Sequence, residues 1–256
     1  MNSPAIVLAA FGTSVPEAQE VFAGLMQAVR ERFPACPVRL AFTSPRIRRK
    51  WAERGQPVPS PVEALTAFRD QGHRTAVVQS LLVVPGEEHT KLAETQVEGL
   101  DVVCGPPLLA AEEDYQAVVE VIGDARRPGR PNVLVCHGND QHPAHNGPNL
   151  ALARRLAERF DDVWVASVEG EPGLAPLAAV RTVAQRCGAV HFIPLMLVAG
   201  EHVRRDVLGD EPDSWRHQVG AVETSCAPPL GAEPRIIERY LSHLARARGR
   251  AVGMSR

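Results

Sequence analysis

The sequence lacks a C-x-x-C pair, a glycine-rich nucleotide loop, a long apolar run and any marked excess of one charge. Each absence closes off a class of function. Five cysteines (Cys36, Cys104, Cys136, Cys187 and Cys226) are dispersed through 256 residues, which argues for reduced thiols and against a disulfide framework. Neither GxxxxGK[ST] nor GxGxxG occurs, so no nucleotide cofactor is expected. No stretch is apolar enough to span a bilayer. The N-terminus carries no cationic n-region, and Ile6–Phe11 is too short for a signal h-region; the dispersed thiols are what point to an expected cytoplasmic setting. A formal net charge of −2 gives no global attraction to nucleic acid or to a membrane surface. With 45% hydrophobic and 23% charged residues, what remains is an ordinary soluble protein of one or two α/β domains.

What is present is organised around VLVCHGND (133–140). Val133, Leu134 and Val135 read as a buried strand of a parallel sheet, bounded by Pro131 and Gly138. His137 sits at its carboxyl end, where open α/β sheets bind ligands. An imidazole there can ligate a metal or act as a base, or merely hydrogen-bond the neighbouring backbone. Along the chain, strands at 5–14 (ending in a Gly-Thr-Ser turn), 37–44, 75–86 and 101–109 alternate with helices near 17–33, 61–70, 87–89 onward and 112–122. Ser14 is a plausible N-cap of the first helix.

The pattern then repeats. NVLVCHGND answers AIVLAAFGTS, placing His137 where Phe11 stood. DVWVASVEGEP answers PVRLAFTS, AVHFIPLMLVAGEH answers TAVVQSLLVVPGEEH, and both halves carry Cys-x-Pro-Pro-Leu. The expected fold is α/β: two similar Rossmann-like βα domains, each a parallel sheet flanked by helices, with the active site in the cleft between them. The domains are placed at 1–127 and 131–256, joined near RRPGRP (126–131), with the C-terminal helix free to pack back on the first. The second domain carries the metal ligands. The final helix is expected at about 233–245, with a basic tail, RARGRAVGMSR, disordered at its end.

His137, Glu169 and His202 each follow a separate strand of the second half. Two imidazoles and a carboxylate suit a divalent first-row metal and leave coordination positions open. The competing role for Glu169 is a cap on the following helix. In the first half Arg46, Arg48, Arg49, Lys50 and Arg54 cluster after the second strand, as a solvated helix face or an anion-binding wall. The Gly12-Thr13-Ser14 turn adds donors at a helix start. His73, His191, His217 and His243 read as structural, while His142 and His145 either flank the site, transfer metal inward or sit in solvent.

FGTS (11–14), AFTS with IRRK (41–44, 47–50), QSL (79–81), GEE (86–88) and HG (137–138) are shared with a known family. PLMLVAGEH (194–202), DSW (213–215) and LGAEP (230–234) continue the match. On these motifs the chain resembles the class II chelatases, most closely the anaerobic sirohydrochlorin cobaltochelatases of cobalamin biosynthesis. The resemblance implies ATP-independent insertion of a divalent ion, Co²⁺ with Fe²⁺ or Ni²⁺ as alternatives, into sirohydrochlorin. It implies His137 and His202 as metal-binding and catalytic histidines with Glu169 as third ligand. Gly12, Thr13, Ser14, Arg46, Glu88 and His89 are the expected substrate-binding residues, although some relatives carry a histidine after QSL where this chain does not. Neither nucleic acid nor membrane is an expected partner, and a homo-oligomer is allowed for. The alternatives are a sirohydrochlorin ferrochelatase of sirohaem synthesis and a non-catalytic metal- or haem-binding protein.

Overall fold

The computed structural model describes residues 3–254, and within them the apolar runs and amphipathic segments become strands and helices that alternate along the chain, with two helices in succession after the second strand. In chain order these are β1 (Ala5–Ala10), α1 (Gln19–Arg32), β2 (Val38–Phe42), α2 (Pro45–Glu53), α3 (Pro61–Asp70), β3 (Thr75–Ser80), α4 (Glu87–Ala93), β4 (Asp101–Gly105) and α5 (Glu112–Ala125). There follow β5 (Asn132–Cys136), α6 (Gly147–Arg159), β6 (Val163–Ser167), α7 (Leu177–Cys187), β7 (Ala189–Pro194), α8 (Trp215–Val219), β8 (Glu223–Cys226) and α9 (Pro234–Met254). They build two four-stranded parallel sheets in the orders β2-β1-β3-β4 and β6-β5-β7-β8. Every residue of β1, β3, β5 and β7 is buried, as expected for inner parallel strands covered on both faces.

The repeat extends to individual hydrogen bonds. Past the strand ends, Thr43 N–H donates to the Ala10 carbonyl (2.8 Å) and Val168 N–H to that of Cys136 (3.0 Å). Leu81 N–H donates to Ala9, and Leu195 N–H to Val135, both at 2.8 Å. The two Cys-x-Pro-Pro-Leu segments leave their sheets alike, with Leu108 N–H on the Leu82 carbonyl and Leu230 N–H on that of Met196, both 2.9 Å. Burial raises the thiols of Cys104 and Cys226 alike to about 11, so neither is a nucleophile at neutral pH.

Two compact units divide the chain after Ala110 and again before Ile236. Helix α5 therefore belongs with the second sheet, and α9 with the first. The RRPGRP stretch explains why the division does not fall there. Arg126 grips Asp162 through two 2.8 Å bonds and stacks over Phe160 at 4.3 Å, and Arg130 pairs with Glu223. Buried Asn132 accepts from Arg127 N–H (2.8 Å), so this segment is bolted to the second unit.

Three further expectations change. Helix α9 runs on through the basic tail to Met254, because Ile236, Tyr240, Leu244, Ala247 and Ala251 recur on one buried face. Tyr240 Oη donates to the Leu82 carbonyl (3.0 Å) and Arg250 to that of Cys104 (3.0 Å), while residues 255–256 lie outside the described residues. Ser14 is not a cap: a 3₁₀ turn at Pro16–Ala18 precedes α1, and neither start is capped by a side chain. The strands predicted at 75–86 and 101–109 stop at Ser80 and Gly105, where the chain leaves the ladder for the Leu82 and Val83 carbonyl contacts.

His191 lies on β7 with 2% of its surface exposed, its Nδ1 2.8 Å from Ser225 Oγ. Burial, aided by Arg127 and Arg130, pushes its pKa down to about 4. The folded protein thus keeps it neutral while the unfolded chain takes up a proton near the usual 6.5. Stability from this group is complete above about pH 6.5 and is lost as pH falls toward 4, by on the order of 3 kcal/mol. Urea titrations across that window should show a flatter pH slope for His191→Gln; an unchanged slope would contradict this assignment.

Candidate metal centre

The site is built at the carboxyl ends of β5, β6 and β7. His137 is the first residue after β5 and is exposed; Glu169 lies two residues beyond β6 and is also exposed. His202 precedes a π-helical turn at Val203–Val207, in which Leu208 N–H reaches back five residues to the Val203 carbonyl (3.0 Å). Such turns are rare and concentrate at functional sites.

The structure brings His137 and His202 together. Their rings meet edge to face at 4.8 Å between centroids and 86° between planes. Each ring is oriented through Nδ1: His137 Nδ1 lies 3.0 Å from the Gly138 carbonyl, and His202 Nδ1 2.6 Å from Asp206 Oδ2. A carbonyl or a carboxylate can only accept, so in its neutral form each imidazole carries its proton on Nδ1 and leaves Nε2 bare. That is the form a metal ligand needs.

Glu169 is joined to the pair through its backbone, its N–H donating to the His137 carbonyl (2.8 Å). No hydrogen bond or ion pair is made by its carboxylate among the described residues, and α7 starts at Leu177 without a side-chain cap, which removes the capping role. Nor do three His, Cys, Asp or Glu side chains gather into a metal-holding group among the described residues. Two imidazoles are therefore in place, and Glu169, expected as a third donor, is joined to them through main chain alone.

What fixes these loops is a set of small polar residues that sequence reasoning passed over. Asn146, 1% exposed, accepts from Asn139 N–H (2.8 Å) and donates back to its carbonyl (2.9 Å). Asp140 accepts from Gly170 N–H, and buried Ser167 Oγ accepts from Gly173 N–H (2.8 Å). The only available signal for Asp206 was its His-x-x-x-Asp spacing, which puts both side chains on one helical face. Gly138 is dictated by crowding: its φ is +76°, and a Cβ there would sit 1.6 Å from the Glu169 carbonyl oxygen.

The first unit places its expected residues differently. Thr13 and Ser14 are 4% and 5% exposed. Their carbonyls accept from Trp51 Nε1 (2.6 Å) and Arg54 Nη1 (2.7 Å), so both residues brace the turn through their main chain. Gly12, at φ +94°, packs against Phe42. Arg48 is held by Glu63 (3.1 Å), whereas Arg46 and Arg49 are exposed and make no hydrogen bond or ion pair among the described residues. Glu88 pairs with Lys91 (3.1 Å) on α4. His89 has a buried, unpartnered Nδ1, and burial lowers its pKa, which keeps it neutral. The remaining histidines are structural as expected: His191 bonds Ser225, His217 bonds Ser214 (2.9 Å), His73 packs edge-on to Phe68, and His243 is 1% exposed.

Comparison with known proteins follows the same lines. Residues 4–248 match the cobalt chelatase (CbiK) family. The chain is 30% identical to the sirohydrochlorin cobaltochelatase CbiKC of Nitratidesulfovibrio vulgaris, covering 96% of this chain and 91% of that protein. It is likewise 30% identical to the sirohydrochlorin cobaltochelatase of Salmonella typhimurium, over 97% of each. Among solved structures, SirB from Bacillus subtilis with Fe³⁺ superposes with a TM-score of 0.66 at 15% identity, covering 98% of both chains; at that identity the likeness speaks for the fold.

Replacing Gly138 by alanine tests the crowding directly. Gly129 has a similar φ of +80°, but a Cβ added there would meet nothing within 4 Å, so Gly129→Ala should cost only the strain, about 1–2 kcal/mol. Gly138→Ala should cost about 2–4 kcal/mol in urea unfolding. Equal losses would show that the Glu169 loop yields freely.

Proposed function

The chain belongs to the cobalt chelatase (CbiK) family, and from that premise we propose that it is a sirohydrochlorin cobaltochelatase acting in anaerobic cobalamin synthesis without ATP. The observation that carries the chemical reading is the His137–His202 pair at 4.8 Å with both Nδ1 atoms already engaged. Two bare Nε2 lone pairs can hold a divalent ion delivered as substrate and leave other coordination positions to water. Pyrrole nitrogens can then replace those ligands stepwise. Glu169, whose carboxylate has no competing partner among the described residues, is the proposed third donor.

Insertion exchanges pyrrole protons for the metal, so the site must supply bases. Once relieved of the ion, His137 and His202 can accept protons, and Asp206 stabilises the imidazolium that forms at His202. In the first unit, neutral His89 and its neighbour Glu88 are the proposed further acceptors. Sirohydrochlorin is a polycarboxylate, and Arg46 is the proposed first contact for its rim, because it is exposed and without a partner where Arg48 is occupied by Glu63. Gly12, Thr13 and Ser14 are proposed to shape that binding surface by holding the end of α2 through Trp51 and Arg54. The supplied metal is proposed to be Co²⁺; imidazole and carboxylate donors also accept Fe²⁺, and the affinity order alone does not choose.

Steady-state insertion of Co²⁺ into sirohydrochlorin, followed by the visible spectrum, tests this reading. The wild type should turn over many equivalents. His137→Ala and His202→Ala should each lose at least about a hundredfold in kcat, with Glu169→Gln and His89→Ala losing less. Arg46→Ala should raise KM for the tetrapyrrole roughly ten- to hundredfold, less so at high salt. Product capped at one equivalent per chain would replace the enzyme by a carrier, and full turnover in both histidine variants would remove the assigned site.

A further inference from the structure

A second pair of histidines stands on the loop that leaves His137. His142 precedes, and His145 lies within, a 3₁₀ turn at Pro143–Asn146, with ring centroids 5.5 Å apart and planes at 48°. The Nδ1 of His145 is buried and has no hydrogen-bond partner. A buried ring nitrogen without a partner is the kind of group that a bound ion satisfies. The turn is not a loose excursion. His142 N–H donates to Asn139 Oδ1 (2.8 Å), His145 N–H to the His142 carbonyl (2.9 Å), and Asn146 clasps Asn139 from the far side. The same Asn139–Asn146 clasp holds the loop beginning at His137, so both histidine pairs hang on one frame. Five residues of chain limit the separation of the His137 and His142 Cα atoms to about 18 Å.

We propose that His142 and His145 form a second site for a divalent first-row cation, one that loads the ion destined for the His137–His202 pair. Imidazole is a borderline donor suited to Co²⁺, Ni²⁺ or Zn²⁺. No third His, Cys, Asp or Glu joins the pair among the described residues. Two protein ligands with water completing the shell hold an ion more weakly than a three-ligand site, and a loading site must release what it collects. The direction of transfer rests on the chelatase reading; the existence of the site does not.

Equilibrium dialysis of the full chain against Co²⁺ alone, with no tetrapyrrole, tests the site. The wild type should bind two ions, the weaker lost in His142→Ala/His145→Gln and the tighter lost in His137→Ala/His202→Ala. Glutamine at 145 keeps a polar group at that half-buried position, and circular dichroism checks that the loop variant folds. In insertion assays the loop variant should raise KM for Co²⁺ about tenfold, with kcat and KM for the tetrapyrrole within about twofold. Unchanged ion stoichiometry in the loop variant would overturn the site. Loss of the second ion with no change in KM for Co²⁺ would overturn its loading role. A wild type that binds two ions yet inserts none would sink the chelatase reading and leave the site standing.

Discussion

The second unit depends on the close approach of two loops at the carboxyl edge of its sheet. Glu169 N–H donates to the His137 carbonyl, and the Glu169 carbonyl lies where any side chain on residue 138 would be. Once the β5 and β6 loops are fused in this way, His137 cannot swing out, and the Asn139–Asn146 clasp follows on the same frame. His202 arrives from the β7 side, turned by Asp206 on a π-helical turn. Two flexible side chains are thereby presented with the same nitrogen bare, so little ordering entropy is left to oppose metal capture.

Register within each sheet shows how one half came to differ from the other. Ile6 faces Val38 and Val77, and Asn132 faces Val163 and His191. Counting outward, His137 corresponds to Phe11, Glu169 to Ser44 and His202 to Glu88. The first unit repeats the bond itself, Ser44 N–H donating to the Phe11 carbonyl (3.2 Å). It uses the three positions for an exposed phenylalanine, a helix cap and a surface carboxylate paired with Lys91. One frame thus presents two imidazoles in one copy and starts α2, with its arginines, in the other.

Much of this was legible in the sequence because period and punctuation carry it. β-branched runs ending in glycine located the strands, and the repeated Cys-x-Pro-Pro-Leu located the second sheet. His137 and His202 could be read as a pair because each follows its own strand. Other features were not legible for physical reasons. Whether a helix packs on its own half depends on contacts distant in sequence, so α5 joined the other unit. Ser14, two residues before Pro16, reads as a cap, yet it is buried, with Arg54 from farther along the chain on its carbonyl and Trp51 on that of Thr13. The extension of α9 past Ala245 rests on Ala247 and Ala251, whose small side chains give little apolar signal.

The central claim is that an ion is held between His137 and His202. Crystals of the full chain soaked in Co²⁺, with diffraction recorded on both sides of the cobalt absorption edge, test it most directly. The account predicts an anomalous peak within bonding distance, about 2.0–2.2 Å, of Nε2 on both rings, with Nδ1 of His202 still on Asp206. An anomalous map in which cobalt occupies other residues while the space between these two Nε2 atoms stays empty would contradict it.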